Sequence, residues 1–135
     1  MRAERAITAL LGASPGIAAH VGAGAAARIY GAAAPAETAA PLLIYSLQTA
    51  EREPVLDPVS ERMVHSLVEV LCVAPTYGAL KELAEQVRLA LNGARGMHGG
   101  TEVFGITIDV EGGDQYEAQL DEYAKTWTFR VYHTE

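Results

Sequence analysis

The first 22 residues show apolar side chains at the spacing of an α-helix. Leu10 and Leu11 follow Ile7 by three and four positions, and Val21 follows Ile17 by four. Gly12 interrupts the pattern, and Ser14 followed by Pro15 has the residue types of an N-cap and a first helical position. The sequence therefore predicts a short helix over residues 2–11 and a second helical segment that begins after Ser14 and ends at the glycines of 22–24.

A longer helical pattern runs from Thr76 to Asn92. Its apolar stripe consists of Leu80, Leu83, Ala84, Val87 and Leu91. Charged residues occupy the opposite side. Thr76 is an N-cap candidate, and Asn92 followed by Gly93 is a typical helix end. This is the most strongly predicted helix of the chain.

Four segments have the apolar alternation of β-strands, at residues 42–51, 62–74, 101–111 and 122–133. A further apolar cluster at Arg28–Tyr30 indicates a short strand. In the third segment we expect an inward-facing set of Phe104, Ile106, Ile108 and Val110. The residues expected to form the core of the protein are Trp127, Phe129, Val68, Val70, Ile106, Ile108, Leu83 and Val87.

The order of these elements predicts one α+β domain over residues 1–135. Consecutive strands pair as hairpins, so we expect an antiparallel sheet of about four strands with two main helices on one face, in the order α-β-β-α-β-β. Two long hairpin loops, at residues 52–61 and 112–121, then join the strands. Residues 93–100 are glycine-rich but follow a helix, so they are expected to be a connector and not a phosphate-binding loop.

Composition restricts the function classes. The formal net charge of −7 disfavours tight binding to nucleic acid or to an anionic membrane surface. The longest apolar run, residues 41–47, is too short to span a bilayer, which takes about 20 residues. One cysteine, Cys72, excludes an internal disulfide and favours a reducing compartment. No membrane partner is therefore expected.

Candidate chemistry is sparse. None of the histidines pairs with another at metal-ligand spacing, and Cys72 alternates with core valines, so we expect it to be a buried packing residue. Glu51, Glu53 and Asp57 belong to a charged, proline-containing segment, where we favour solvated charges over a general acid/base pair. We expect no cofactor, no metal and no catalytic residue, and a chain that acts by assembling with other subunits.

The rival hypothesis is a small ligand-binding or enzymatic α+β domain. It requires an apolar pocket between helix and sheet with convergent polar groups. The sequence offers only His65 and Glu69, which are four residues apart on one strand face. A dry cleft that holds both side chains would support this alternative.

The order of several short motifs resembles the tail-completion family, also called tail-to-head joining or tail-terminator proteins, of long-tailed bacteriophages and phage-like gene-transfer particles. The motifs are PGIAAHVG at 15–22, RIY at 28–30, PLLIYS at 41–46, an aspartate at Asp57, VEVLCVAPTY at 68–77, LAEQVRLALNG at 83–93 and WTFRVYH at 127–133. The resemblance covers nearly the whole chain. The alanine-rich loop at 31–40 and the apolar Leu71 depart from the family pattern.

This resemblance implies a virion protein, present in the host cytoplasm during assembly, that forms a homo-oligomeric and typically six-fold ring. Such a ring caps the head-proximal end of the tail tube and joins the tail to the head connector. DNA passes through its lumen without specific binding. Six copies would carry a formal charge of −42, six times −7, so we expect an acidic or neutral lumen. A different minor head–tail joining protein is the structural alternative.

Candidate contacts with neighbouring subunits or with the tube lie in three places. They are residues 51–61 at the first long loop, the RIY segment and the second long loop. The residues are Glu51, Arg52, Glu53, Asp57, Arg28, Tyr30, Gln115 and Tyr116. Long charged loops on a rigid sheet are common sites of partner contact. The first loop has a plainer interpretation as a solvated hairpin end.

Overall fold

The structure, a computed structural model, describes residues 2–52 and 63–134 and has the predicted α+β class. Its elements are α1 (Arg2–Ala13), α2 (Pro15–Val21), a 3-10 turn (Gly24–Ala26), β1 (Ile29–Gly31), β2 (Leu42–Arg52), β3 (Met63–Ala74), α3 (Tyr77–Leu91), β4 (Gly96–His98), β5 (Thr101–Glu117) and β6 (Glu122–Thr134). The predicted element order and strand count are wrong in detail, because the described residues form three α-helices and a six-stranded sheet.

The strands lie in the order β1-β2-β3-β6-β5-β4. All neighbours are antiparallel except β1 and β2, which are parallel. The two extra strands lie at the sheet edges. β1 is the short strand indicated by the RIY segment, and β4 lies in the segment predicted to be a connector. Three-residue edge strands depend on a partner backbone and have no hydrophobic period of their own, which explains why the pattern missed β4.

Both predicted helix starts are confirmed. The Ser14 hydroxyl accepts a hydrogen bond from the backbone N–H of Ile17 at 3.2 Å, which caps α2. The Thr76 hydroxyl accepts one from the N–H of Ala79, also at 3.2 Å, which caps α3. In each case the side chain satisfies a donor that the helix itself leaves unpaired.

The core lies between the three helices and one face of the sheet. Burial alternates along β3 and β6, as the sequence pattern predicts for a sheet covered on one side. Every residue in the predicted core set is buried except Ile108, which is half-buried and packs against the core. Trp127 also donates its indole N–H to the carbonyl of Ala84 in α3, at 3.1 Å. This bond joins sheet and helix inside the core.

The predicted inward set of β5 is half wrong. Ile106 and Ile108 face the core, but Phe104 is 42% exposed and Val110 is 52% exposed. The pairing of β5 with β6 shifts between residues 103 and 105 and again between 108 and 110. Each shift inserts an extra residue, and a β-bulge of this kind reverses the alternation of faces and increases the local twist.

The second long loop is also shorter than predicted. β5 continues through Gly112 and Gly113 to Glu117, and only residues 118–121 form the turn, so the predicted loop over 112–121 is wrong. A third register shift falls between Glu111 and Asp114. A Cβ atom on Gly112 would lie 2.6 Å from the carbonyl oxygen of Thr126, so the backbones approach too closely for a side chain there. The glycines therefore mark a bulge within a strand and not the start of a loop.

A polar pair is buried on the helix side of the sheet. The imidazole of His133 lies 2.8 Å from the Ser66 hydroxyl through Nε2 and 2.7 Å from the carbonyl of Thr134 through Nδ1. A carbonyl only accepts, so Nδ1 carries the proton and Nε2 accepts from Ser66. Both residues are almost fully buried, and burial lowers the pKa of His133. The pair is thus a neutral, satisfied part of the core.

We predict that Leu83→Ala lowers the free energy of unfolding by about 3 kcal/mol, because Leu83 is fully buried and its truncation leaves a cavity. The matched control is Leu89→Ala in the same helix, where the side chain is 58% exposed. That substitution should change stability by less than about 0.5 kcal/mol. Urea denaturation followed by circular dichroism measures both, and equal losses would contradict the packing described here.

We also predict that stability falls as the pH drops below about 6.5, the usual histidine pKa of an unfolded chain. Because the pKa of His133 is lowered in the folded protein, the unfolded state takes up the proton first, and stability is lost as the pH falls through the folded value. The His133→Gln variant should show a shallower decline in urea midpoint, and the His98→Gln variant should keep the wild-type decline. A wild-type decline in His133→Gln would show that another group is responsible.

Candidate assembly surfaces

The two hairpins turn at opposite ends of the sheet. β2 and β3 meet at the end where Arg52 pairs with Val64, which is also where β6 ends. β5 and β6 meet at the other end, where Glu117 pairs with Glu122. We call these the β2–β3 end and the β5–β6 end. The β5–β6 turn therefore lies at the opposite end of the sheet from the last described pairs of β2 and β3.

The predicted contact residues are divided among these places. Glu51 and Arg52 lie at the β2–β3 end, where Glu51 pairs with His65. Gln115 and Tyr116 lie near the β5–β6 end. Glu53 and Asp57 lie outside the described residues. The structure does not bring these sets together into one site.

Arg28 and Tyr30 lie at the β1 edge of the sheet. The Arg28 guanidinium is half-buried and donates to the carbonyl of Pro41 at 2.7 Å and to the carbonyl of His20 at 3.0 Å. It thereby fastens the end of α2 to the start of β2. Tyr30 pairs with Ile44 in register. For Arg28, the observed bonds give a role within the chain, and its part in subunit contact stays a prediction.

A charged network fixes the β5–β6 hairpin to helix α3. The carboxylate of Asp114 in β5 lies 2.5 Å from the ammonium of Lys81 and accepts a 2.7 Å hydrogen bond from the Tyr77 hydroxyl, both on α3. These two hydrogen bonds lower the pKa of Asp114 to about 2. Asp114 is therefore ionised at neutral pH and joins hairpin to helix.

Lys125 supports the same network from β6. Its side chain is only 7% exposed, and its ammonium lies 2.9 Å from the Gly112 carbonyl and 3.3 Å and 3.5 Å from the carboxylates of Glu111 and Asp114. It also lies 5.3 Å from the centroid of the Trp127 ring, within the range of a cation–π contact. A buried ammonium of this kind requires such partners.

Sequence reasoning missed this network. One signal was available, since Lys125 has the same strand parity as the inward-facing Trp127 and Phe129. A lysine at an inward position indicates a buried partner of opposite charge. The partner itself was not visible, because Asp114 lay in a segment interpreted as a loop.

Aromatic rings extend the network toward the hairpin turn. Tyr123 lies between Tyr77 of α3 and Tyr116 of β5, with ring centroids 5.8 Å and 4.8 Å away. The Tyr116 hydroxyl donates to Asp121 at 2.8 Å, which braces the turn. The hairpin is thus held in one orientation up to its last residues, although Tyr116 is 52% exposed.

The second face of the sheet has no helix against it in the described part of the chain. Its side chains are mixed, with Ile44, Leu67, Leu71, Glu69, Thr128, Arg130 and Tyr132 among them. Pairs on this face contact each other across strands. His65 stacks on Tyr132 with centroids 6.0 Å apart, and Arg130 lies 3.1 Å from Asp109. The side chains named on this face are half-buried or exposed, so each keeps part of its surface exposed.

The groups that an enzymatic alternative requires are not arranged as a reaction site. His65 lies on the uncovered face, 3.4 Å from Glu51, and four strand residues place Glu69 about 13 Å further along. Ser66 and His133 have the spacing of a nucleophile and its base, but both are buried. Burial raises the pKa of the Cys72 thiol to about 12, so the thiolate is suppressed.

Within residues 2–52 and 63–134, no group of three or more His, Cys, Asp or Glu side chains is arranged to hold a metal ion. No helix in the described segments has the length and apolar character needed to cross a bilayer.

The fold has a relative among solved structures. A chain in the structure described as "Virion of native gene transfer agent (GTA) particle" superposes with a TM-score of 0.66, and the alignment covers 96% of this chain and 92% of that chain. The sequences are 21% identical, so the similarity concerns the fold. No curated protein sequence gives a significant match.

The sequence also matches a family profile described as "Tail completion protein gp17", over residues 5–131. The matched range includes β1 to β5, α2 and α3, and most of α1 and β6. The resemblance inferred from the order of the motifs is thereby confirmed. This chain belongs to the tail completion protein gp17 family and is a structural tail protein of a phage or phage-like virion.

Proposed function

We propose that the chain forms a homo-oligomeric ring, most simply a hexamer, that caps the head-proximal end of the tail tube and joins the tail to the head connector. The observation that carries this proposal is the family match over residues 5–131. Tail completion requires a subunit that stops tube growth and offers a second surface to the head. A one-sided sheet with hairpins at both ends has separate surfaces for these two tasks.

The sheet edges support a ring of identical subunits. β1 pairs only with residues 43–45 of β2, and β4 pairs only with residues 101–103 of β5. The parts of the β2 and β5 edges that β1 and β4 leave unpaired differ from each other in sequence and shape. Contacts between unlike surfaces of identical subunits are heterologous, and such contacts generate a ring when the rotation between copies closes. A two-fold dimer would require one surface to match itself.

The charge of the chain fits passage of DNA. A ring of six would carry a formal charge of −42. A lumen that is acidic or neutral offers no counterion-releasing sites to phosphates, so DNA passes without being held. The tail tube protein and the head connector are the expected protein partners. A different minor head–tail joining role remains the alternative within the structural class.

We predict that particles assembled without this chain contain filled heads that are not joined to tails, together with tubes of excess length. The physical reason is that an uncapped tube end keeps adding subunits. Negative-stain electron microscopy of purified particles measures tube length and the fraction of joined particles. Supplying the wild-type chain from a plasmid is the control and should restore both values.

The same experiment separates the alternatives. Unjoined heads with tubes of normal length would assign the chain to head–tail joining without tube termination. Joined particles with tubes of normal length would overturn the proposal.

A further inference from the structure

We infer that the β5–β6 turn of one copy docks in a groove beside helix α1 of the next copy in the ring. The turn, residues 117–122, is called the β5–β6 tip. The groove, called the α1 groove, is lined by Glu4, Arg5, Thr8, Ala9, Tyr45 and Gly99. This inference rests on the proposed ring and assigns one contact within it.

The β5–β6 tip has the properties of an inserted element. Leu120 lies at the turn, and its side chain is 66% exposed. The network of Asp114, Lys81 and Lys125 holds the hairpin against α3. A rigid apolar side chain at a turn loses little conformational freedom on binding, which favours its use as an anchor.

The α1 groove has the complementary properties. Its volume is about 460 Å³, within the range of sites that enclose a small ligand or a side chain. Gly99 closes one end against α1, since a Cβ there would lie 2.6 Å from the carbonyl oxygen of Arg5. Ala9 and the Tyr45 ring contribute apolar surface. The groove is therefore open enough and apolar enough for a leucine.

Opposite charges on the tip and near the groove favour a second copy of the chain as the partner. The tip carries three carboxylates and no base, at Glu117, Asp121 and Glu122. Exposed Arg5 lines the groove, and exposed Arg2 lies one turn earlier on the same side of α1. Glu4 also lines the groove and offsets one of these two positive charges. In a chain with a net charge of −7, this basic corner is complementary to the acidic tip of another copy.

The contact is between copies and not within one chain. The tip lies at the β5–β6 end, whereas Gly99 lies beside the start of β5 at the β2–β3 end. From Glu122 to His133 the strand extends about 36 Å. The hairpin is fixed to α3 and does not fold back, so only a neighbouring copy's tip reaches the groove.

Cysteine cross-linking within assembled particles tests this contact. The double variant Leu120→Cys with Thr8→Cys replaces the wild-type chain, and purified particles are treated with a short bismaleimide. Cys72 is buried and its thiolate is suppressed, so it adds no background. We expect covalent multimers up to the copy number of the ring. The matched control is Leu120→Cys with Leu89→Cys, which places the second thiol at an exposed position of α3 outside the groove and should give no ladder.

Exchanging the charges of Arg5 and Glu117 tests whether opposite charges pair the tip with the groove. Arg5→Glu alone and Glu117→Lys alone, each added to the cross-linking pair, should lower the initial cross-linking rate about two- to fivefold, as expected for exposed ion pairs. The combination of both should restore most of the rate. An additive loss in the combined variant would overturn the assigned pairing.

The outcomes separate failure of the proposed contact from failure of the proposed function. Particles with normal tails that contain the chain but give no ladder above the control overturn the contact and leave the proposed function intact. A cross-link confined to one chain, or one between Leu120→Cys and a different tail protein, also overturns it. Particles that lack the chain and still have normal joined tails overturn the proposed function, and the contact with it.

Discussion

Burial of a single face of the sheet is the constraint on which the rest of this structure depends. Three helices contribute their apolar stripes to that face, and Trp127 joins both layers through the carbonyl of Ala84. The hydrophobic free energy of the domain is concentrated in this layer. In the described part of the chain the opposite face has no helix packed on it, so its partly exposed residues are available for partners. A subunit that contacts a tube, a head and its own copies needs this division.

The network around the buried Lys125 fixes the β5–β6 hairpin to the packed layer of helices and sheet. Beyond the last pair with β3, at Tyr123, the hairpin has no sheet neighbour on that side. Just before this point, Asp114, which pairs with Lys125, is bound by Lys81 and Tyr77 on α3. The exposed Leu120 at the turn is thus presented by a rigid element. This rigidity is the physical basis for assigning the tip to a contact between copies.

The sequence pattern predicted most of the fold because helical and strand periods are local properties. The stripe of α3, the caps Ser14 and Thr76, and the alternation of β3 and β6 are all confirmed. The pattern failed in β5, where three register shifts change the face on which residues lie. A bulge depends on the partner strand, and the glycines at 112 and 113 have the same appearance in a loop and in a bulge. Simple alternation predicts that Phe104 faces inward, whereas the bulge between residues 103 and 105 leaves it exposed.

The assembly surfaces were less predictable than the core, because partners are not encoded by periodicity. Residue order over the whole chain identified the family, but the Asp114 network arises only when α3, β5 and β6 come together. The α1 groove likewise arises only when α1, β2 and the turn after β4 come together. Cryo-electron microscopy of purified particles will show whether this chain closes the head-proximal end of the tail as a ring. We predict a single closed ring of this fold between tail tube and head connector. Density for the chain elsewhere in the tail, or in an open arrangement, would overturn the proposed ring.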